Sequence, residues 1–498
     1  MTTTALLIAP VGLPLLAAAS HAVFGWRPKT TAWSGAAAAA GLLACAVALA
    51  VAAVDRPRTG LGGLLRADAL SAYMLVVIGA VALPALLASP GYLAAERAAG
   101  HTSAADARRY GILTQTFVAA MALAVLAANL GVLWVAVEAT TICTAFLVGH
   151  RRTRHATEAA WKYVVICSAG IALAFLGIVL LNFAARHAHV PSSGALDWAE
   201  LARHATALDA DVTRVAVALL VLGFGTKAGL APLHAWLPDA HSQAPAPVSA
   251  LMSGVLLSVA FYAVLRVKVI ADAALGVPFT RTLLAAVALV SLAAAAALLL
   301  KQRDYKRMLA YSSIEHMGLI ALGAAVGTPL AASAVLLHIL GHGLAKSVAF
   351  LASGHIQQAT GSTRVDGARG LIARVPLTAG LFGASLAALL GFPPFGLFAS
   401  ELGMFRAGFT AGMGWAVAAA LLLMLVVVAA VAAHTGRMLL GAHRPGPGAA
   451  ALAGDVRLAR SAALALTAAL VACAALGVTA WPLHTLLDTA AAIIGAHP

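Results

Sequence analysis

Apolar runs of about 17–25 residues recur along the whole chain, and each is long enough to cross a bilayer as a helix. Fourteen can be laid out, centred near residues 14, 42, 79, 119, 139, 171, 220, 257, 290, 317, 341, 394, 427 and 469. Inside hydrocarbon the backbone must satisfy its own hydrogen bonds, so the expectation is an all-α polytopic membrane protein of about fourteen spans. With 62% hydrophobic and only 10% charged residues, no stretch remains for a soluble domain. The longest external loop, 186–211, has few apolar residues and cannot build a core. The Ala/Gly/Pro-rich segment 441–454 reads as a flexible cytoplasmic linker. The first run, 6–24, has no basic region before it and no small-residue cleavage site, so it reads as a span, not a removed signal peptide.

The basic residues agree with this layout. One alternating set of loops carries 19 of the 32 lysines and arginines and the opposite set carries 9. That bias puts the first set in the cytoplasm and both termini on the outer, periplasmic side. A wrongly split span would scramble the alternation. The formal charge of +14 therefore needs no nucleic acid partner; the lipid bilayer is the expected surroundings. Cys45, Cys143, Cys167 and Cys473 lie inside apolar runs without a CxxC pair, which argues against a disulfide framework or a metal cluster. No redox cofactor motif is present, so no cofactor is expected and electron transfer by this chain alone is excluded.

A few ionisable residues interrupt the apolar runs. Lys227 ends the run 212–225 and is followed at once by the helix-breaking residues 229–232. A charge at membrane depth costs about 2.5–3.5 kcal/mol or more, and unwound backbone there needs partners too. Glu138, Glu315 with His316 beside it, and Glu401 are the buried acids; Lys227 and Lys346 are the deep bases, and Lys162 lies nearer the cytoplasmic end. Burial disfavours the charged form of either type and pairing restores it, so a Glu–Lys contact that can be made and broken is a proton switch. Packing-only ion pairs are the plainer alternative. His338, His342 and Lys346 follow at i, i+4 and i+8 on one helical face, which suits a proton relay. A metal shared by the two histidines lacks an obvious third ligand, and a packing role also remains open. His234, Asp239 and His241, after the break, are expected to be partly solvated, as a proton antenna or a plain loop. The run 301–307 reads as an orienting loop, and Glu158 with Lys162 as an i, i+4 pair.

Two long spans are broken by Gly and Pro, the seventh and the twelfth, the latter at GFPPFG, 391–396. Glu138 precedes Lys227 by 89 residues and Glu315 precedes Glu401 by 86, each acid two spans before a break. Paired interruptions of this kind point to two inverted five-helix repeats, spans 4–8 and 9–13. The expected division is 1–109 for spans 1–3, 110–270 and 279–440 for the repeats, and 455–498 for span 14.

The stretches VEATTICTAFL, GTKAGLAPLHAWLPDAHSQAPAPVSALMSG, KRMLAYSSIEHMG, HILGHGLAKSVAFLASGHI and GFPPFGLFASE resemble the antiporter-like proton-translocating subunits of respiratory complex I, membrane-bound hydrogenases and Mrp-type antiporters, over roughly 110–412. YSSIEHMG most resembles the hydrogenase-4 component F branch. The resemblance implies fourteen core helices, a path in which Glu138 modulates Lys227, a relay through His338, His342 and Lys346, and Glu401 as the exit. Some relatives carry a lysine in the eighth span where this chain has Ser258, so the link between halves would use Ser258, water, Glu315/His316 and His338. The implied function is proton translocation by a non-catalytic subunit of a hydrogenase-type or NADH dehydrogenase-like oxidoreductase complex in the bacterial inner membrane. Other membrane and peripheral subunits would be its partners, and protons, with sodium left open, its cargo. A cation/proton antiporter, an ion-coupled inorganic carbon uptake subunit and a passive anchor are the alternatives.

Overall fold

The computed structural model describes residues 3–191, 194–442, 458–480 and 483–495; most of the 441–454 linker lies outside them. The chain is a polytopic all-α membrane protein. Among the described residues, twelve helices are long and apolar enough to cross a bilayer. They are α1 (Thr3–Phe24), α2 (Ser34–Ala53), α3 (Ala69–Ala98), α4 (Ala104–Leu126), α5 (Leu130–Val148) and α6 (Arg154–His187) in the first part. Two helical pieces follow, α7 (Ala210–Lys227) and α8 (Trp236–Gln243). Then come the spans α9 (Ala246–Leu275), α10 (Val277–Leu299), α11 (Tyr305–Val326) and α12 (Pro329–Thr360). After two more pieces, α13 (Pro376–Leu389) and α14 (Gly396–Thr410), the chain continues through α15 (Gly414–Leu440), α16 (Arg460–Val478) and a short α17 (His484–Gly495). The expected seventh and twelfth spans are the interrupted ones.

Local chemistry sets the boundaries. Asp68, Asn129, Thr153, Asp304 and Thr328 each accept a backbone N–H at a helix start, and Ser103 with Asp106 makes a reciprocal capping box on α4. Helix α11 ends at Gly327 and α12 at Gly361, both left-handed with φ of 71° and 70°. Helices α9, α11 and α12 form the interior, buried over nearly all their length. Outer helices expose Leu16, Val51, Trp161, Leu422, Leu425 and Val471. A continuous apolar exterior would be a liability in water; in a bilayer it faces a matching solvent.

Several charges expected in loops lie inside the fold. Arg266 and Lys268 sit within α9 and are buried. Arg266 pairs with Asp68 at 2.6 Å and lies 3.8 Å over the Trp198 ring; Lys268 pairs with Asp272 at 2.5 Å. Lys306, expected in an orienting loop, is buried on α11 and donates to the carbonyls of Ser242 (3.4 Å) and Ala244 (3.0 Å). Arg266 and Lys306 satisfy structural partners from distant segments, which a linear count of charges cannot register, whereas Lys268 pairs one turn along its own helix. The segment before α7 packs down as well: Trp198, on a short helix, donates its indole N–H to the Ala127 carbonyl at 3.0 Å. Helix α17, for which no expectation existed, lays Leu486, Leu487, Ala490, Ala491 and Ile494 inward and packs on α12 and α3.

Candidate functional site

Helix α7 stops at Lys227, residues 228–235 are not helical, and α8 resumes at Trp236. Gly229 takes φ +77°, a conformation that Gly adopts without steric cost, and the Ala231–Pro232 bond is cis. The N–H of Ala231, freed by the break, finds the Ser291 hydroxyl at 2.9 Å. Lys227 is fully buried. Its ammonium donates to the Tyr163 hydroxyl and lies 4.6 Å over the Tyr163 ring. Tyr163 in turn shares a 2.5 Å hydrogen bond with Thr144, and Trp236 stands edge-on to it at 4.9 Å. Glu138 is not in ion-pair contact with Lys227. One of its oxygens accepts a long bond from Ser168 at 3.5 Å, and the other is buried without a hydrogen-bond partner among the described residues. Lys227 therefore has an aromatic hydroxyl for its immediate partner. No motif in the sequence singles out Tyr163; only its place on the helix that packs along α7 does.

The residues following the break divide into two environments. Asp239 lies toward the surface and pairs with Lys162 (3.1 Å) and Arg307 (2.6 Å), while Lys162 also holds Glu158 at 2.8 Å, the expected i, i+4 contact. His234 is half-buried. His241, expected to be partly solvated, is fully buried, stacked at 4.8 Å on Phe350, with neither ring nitrogen hydrogen-bonded. The apolar face of the short α8 turns it inward, because Asp239 two residues earlier takes the outer side. A single π-helical turn, Met252–Leu256, precedes Ser258, whose buried hydroxyl also lacks a partner. Within that turn Ser253 bonds Ser313 of α11 at 2.7 Å, linking the two halves of the molecule.

A second cluster lies where α11, α12 and α14 meet. Lys346 donates to the Leu309 carbonyl at 2.7 Å and to the Ser312 hydroxyl. Glu315 Oε2 lies 3.5 Å from His316 Nε2, and His316 Nδ1 bonds His338 Nε2 at 3.1 Å. His338 Nδ1 meets the Ser400 hydroxyl at 2.9 Å, and Ser400 spends its own proton on the Leu397 carbonyl at 2.8 Å. With Ser400 donating to Leu397, the pattern is consistent with His338 donating from Nδ1 and accepting at Nε2 from His316 Nδ1. His342 stands 4.9 Å from the His316 ring with both nitrogens unpartnered. Glu401, next to Ser400, is buried with one oxygen unpartnered. Its carboxylate packs against Gly391, the left-handed glycine (φ +69°) of the second break, where the Pro393–Pro394 bond is cis. Ligand atoms of His316, His338 and Glu401 lie within 4.8 Å of one another, so α14 supplies the third donor that the sequence did not reveal. The two imidazoles already engage each other, which leaves one lone pair fewer for an ion.

A further buried acid escaped the sequence reading. Glu96, at the end of α3, accepts from Arg151 at 2.8 Å and from Gln358 of α12 at 3.2 Å. It stands beside Arg97 and a loop, which gives it the look of a surface residue.

Residues 127–427 match the family model described as NADH:quinone oxidoreductase/Mrp antiporter, TM. The chain is 38% identical over 340 residues to a hydrogenase-4 component F homolog of Methylacidiphilum infernorum, covering 68% of this chain and 71% of that one. It is also 38% identical over 244 residues to NADH-quinone oxidoreductase subunit N of Desulforudis audaxviator, where it covers 48% of this chain and 47% of the relative. Two solved structures share the fold: a chain of an archaeal membrane-bound sulfane sulfur reductase (TM-score 0.84, 24% identity, 99% of this chain and 97% of that one) and one of Thermus thermophilus respiratory complex I (TM-score 0.80, 22% identity, 99% of each). By the span of the family match and by its kinship to the component F homolog, this chain belongs to the NADH:quinone oxidoreductase/Mrp antiporter transmembrane family.

Proposed function

We propose that the chain translocates protons as the antiporter-like subunit of a multi-subunit, hydrogenase-type respiratory complex. The observation that carries the reading is the succession of buried titratable side chains from Lys227 through His241, Lys346, Glu315, His316 and His338 to Glu401. Intramembrane ionisable groups are costly and are functional by default. In this reading Lys227 is loaded and unloaded as Glu138 and Tyr163 exchange as its partners. The proton passes by Ser258 and the Ser253–Ser313 link to Lys346 and Glu315. The ordered His316–His338 pair then hands it to Glu401, while Asp239 and Lys162 belong to the cytoplasmic mouth. The parallel breaks, each with a left-handed glycine, support fourteen spans arranged as two inverted repeats, 110–270 and 279–440, between spans 1–3 and span 14. The arginine bias supports termini on the outer side of a bacterial inner membrane. The component F homolog supports a hydrogenase-type setting, with redox subunits as partners.

Lys227→Ala in the assembled complex is expected to abolish proton uptake into inverted vesicles while leaving assembly intact. Retained pumping would sink the reading. Sodium-driven exchange without a redox donor would transfer it to the cation/proton antiporters.

A further inference from the structure

Helices α4, α5 and α6 leave a groove of about 490 Å³ at the end of the molecule where Arg108, Arg109, Arg151, Arg152 and Arg154 gather. Its walls are apolar and open outward: Ile142, Phe146 and Trp161 line it and are 52–65% exposed, on a face that the fold presents to lipid. Its rim is basic. Arg109 lies 5.2 Å from the Phe146 ring centroid and has no carboxylate partner among the described residues. Arg152 is held over the rim by Asp106 at 2.9 Å, and Asp106 is itself fixed by the Ser103 capping box. His150, on the loop between α5 and α6, packs edge-on to Tyr110 at 5.8 Å and has a buried Nε2 with no hydrogen-bond partner among the described residues. Burial holds this imidazole below its usual range, so the arginines supply the charge there.

We infer that this groove binds one anionic glycerophospholipid, with an acyl chain along Ile142, Phe146 and Trp161 and the phosphate at Arg109 and Arg152. Charge complementarity selects this occupant. An apolar transmembrane helix of a partner would cover the apolar walls but leave Arg109 without an anion. A zwitterionic lipid would bring its own cation to a rim that already has an excess. Basic pockets between spans on the cytoplasmic side are where anionic headgroups are held. The inference stands apart from the proton pathway, since none of these residues belongs to it.

The test is native mass spectrometry of the intact complex released from nanodiscs of phosphatidylcholine alone or phosphatidylcholine with phosphatidylglycerol. Saturable retention of one phosphatidylglycerol by this chain, with no retained phosphatidylcholine, is expected. The exposed double substitution Arg109→Gln/Arg152→Gln should weaken retention about 30-fold, at roughly a factor of five for each lost charge near the surface. Ala145→Phe, which fills the groove and keeps the charges, should also displace the lipid. Equal retention of both lipids, undiminished retention in the double variant, or a cross-link from Trp161→Cys to a partner helix would each overturn the assignment.

Discussion

Gly391→Ala puts the placement of Glu401 to a quantitative test. Gly391 has φ +69°, where an L-residue costs about 1–2 kcal/mol. A Cβ there would fall inside the 3.0 Å limit to Glu401 Oε2 and 3.2 Å from its carboxyl carbon. The carboxylate would have to retreat by about 1 Å, a displacement that can reduce a positioned transfer by about 100-fold. Gly412, just beyond the other end of α14, has φ +74° and nothing within 4 Å of its would-be Cβ. Gly412→Ala therefore bears the same backbone cost without touching the acid. Thermal unfolding in detergent should show similar losses for the two variants, with Gly391→Ala somewhat the larger. Dye-quench measurements in inverted vesicles, normalised to folded protein by fluorescence size-exclusion, should separate them: Gly412→Ala near wild type, Gly391→Ala reduced tenfold or more. If both transported equally per folded molecule, the carboxylate would not be working where it packs.

Tyr163→Phe keeps the ring beneath Lys227 but removes the hydroxyl that accepts from it. A bond to a charged group contributes about 1.5–3 kcal/mol, so proton transport per molecule should fall roughly tenfold with assembly preserved; an unchanged rate would leave Tyr163 a packing residue. Asp68→Asn strands the Arg266 guanidinium, which is 1% exposed. Removing one partner of such a pair costs about 3–5 kcal/mol, so the melting temperature should drop clearly while transport per folded molecule stays near wild type. An unshifted melting curve would contradict the burial of that pair.

The fold was largely legible because a bilayer offers so few solutions: apolar length gives the helices, and Gly/Pro inside an apolar run marks the two breaks. Glu138, Lys227, Glu315, Lys346 and Glu401 stood out by the same logic, since a charge in a greasy window has no cheap explanation. What stayed hidden was tertiary. Tyr163 is an ordinary residue in an apolar helix until Lys227 lies across it. Glu96, Arg266, Lys268 and Lys306 sit near run ends, where a charge normally reaches water; distant partners keep Glu96, Arg266 and Lys306 buried, and Asp272, one turn on, pairs with Lys268. The Glu138–Lys227 partnership was expected from the family resemblance. The structure instead gives the lysine a neutral partner, which one-dimensional charge matching cannot suggest.

The unpartnered polar atoms show where hydration belongs. Such atoms occur elsewhere in the described residues too, and eight lie on the proposed route or, for His342, packed against His316 of it: one each on Glu138, Ser258, His316 and Glu401, and two each on His241 and His342. A buried polar atom left dry costs about 1–3 kcal/mol. Eight of them would consume a sum comparable to the whole ~5–15 kcal/mol by which a folded domain is stable. The alternative is that water visits these atoms, or that they satisfy one another in turn as side chains move. Either is what proton transfer between separated groups requires, because each step needs a donor and an acceptor brought to about 3 Å. The buried pairs Arg266–Asp68 and Lys268–Asp272 are closed at 2.6 and 2.5 Å and hold their charges in place. Arg266 and Lys268 are thus each clasped to a carboxylate, although Arg266 Nε and Nη1 have no hydrogen-bond partner, whereas Glu138 and Glu401 have no basic partner within ion-pair distance among the described residues. The unclasped state of Glu138, one oxygen free and Lys227 out of ion-pair reach, then fits a residue that acts by changing partners and not by holding one.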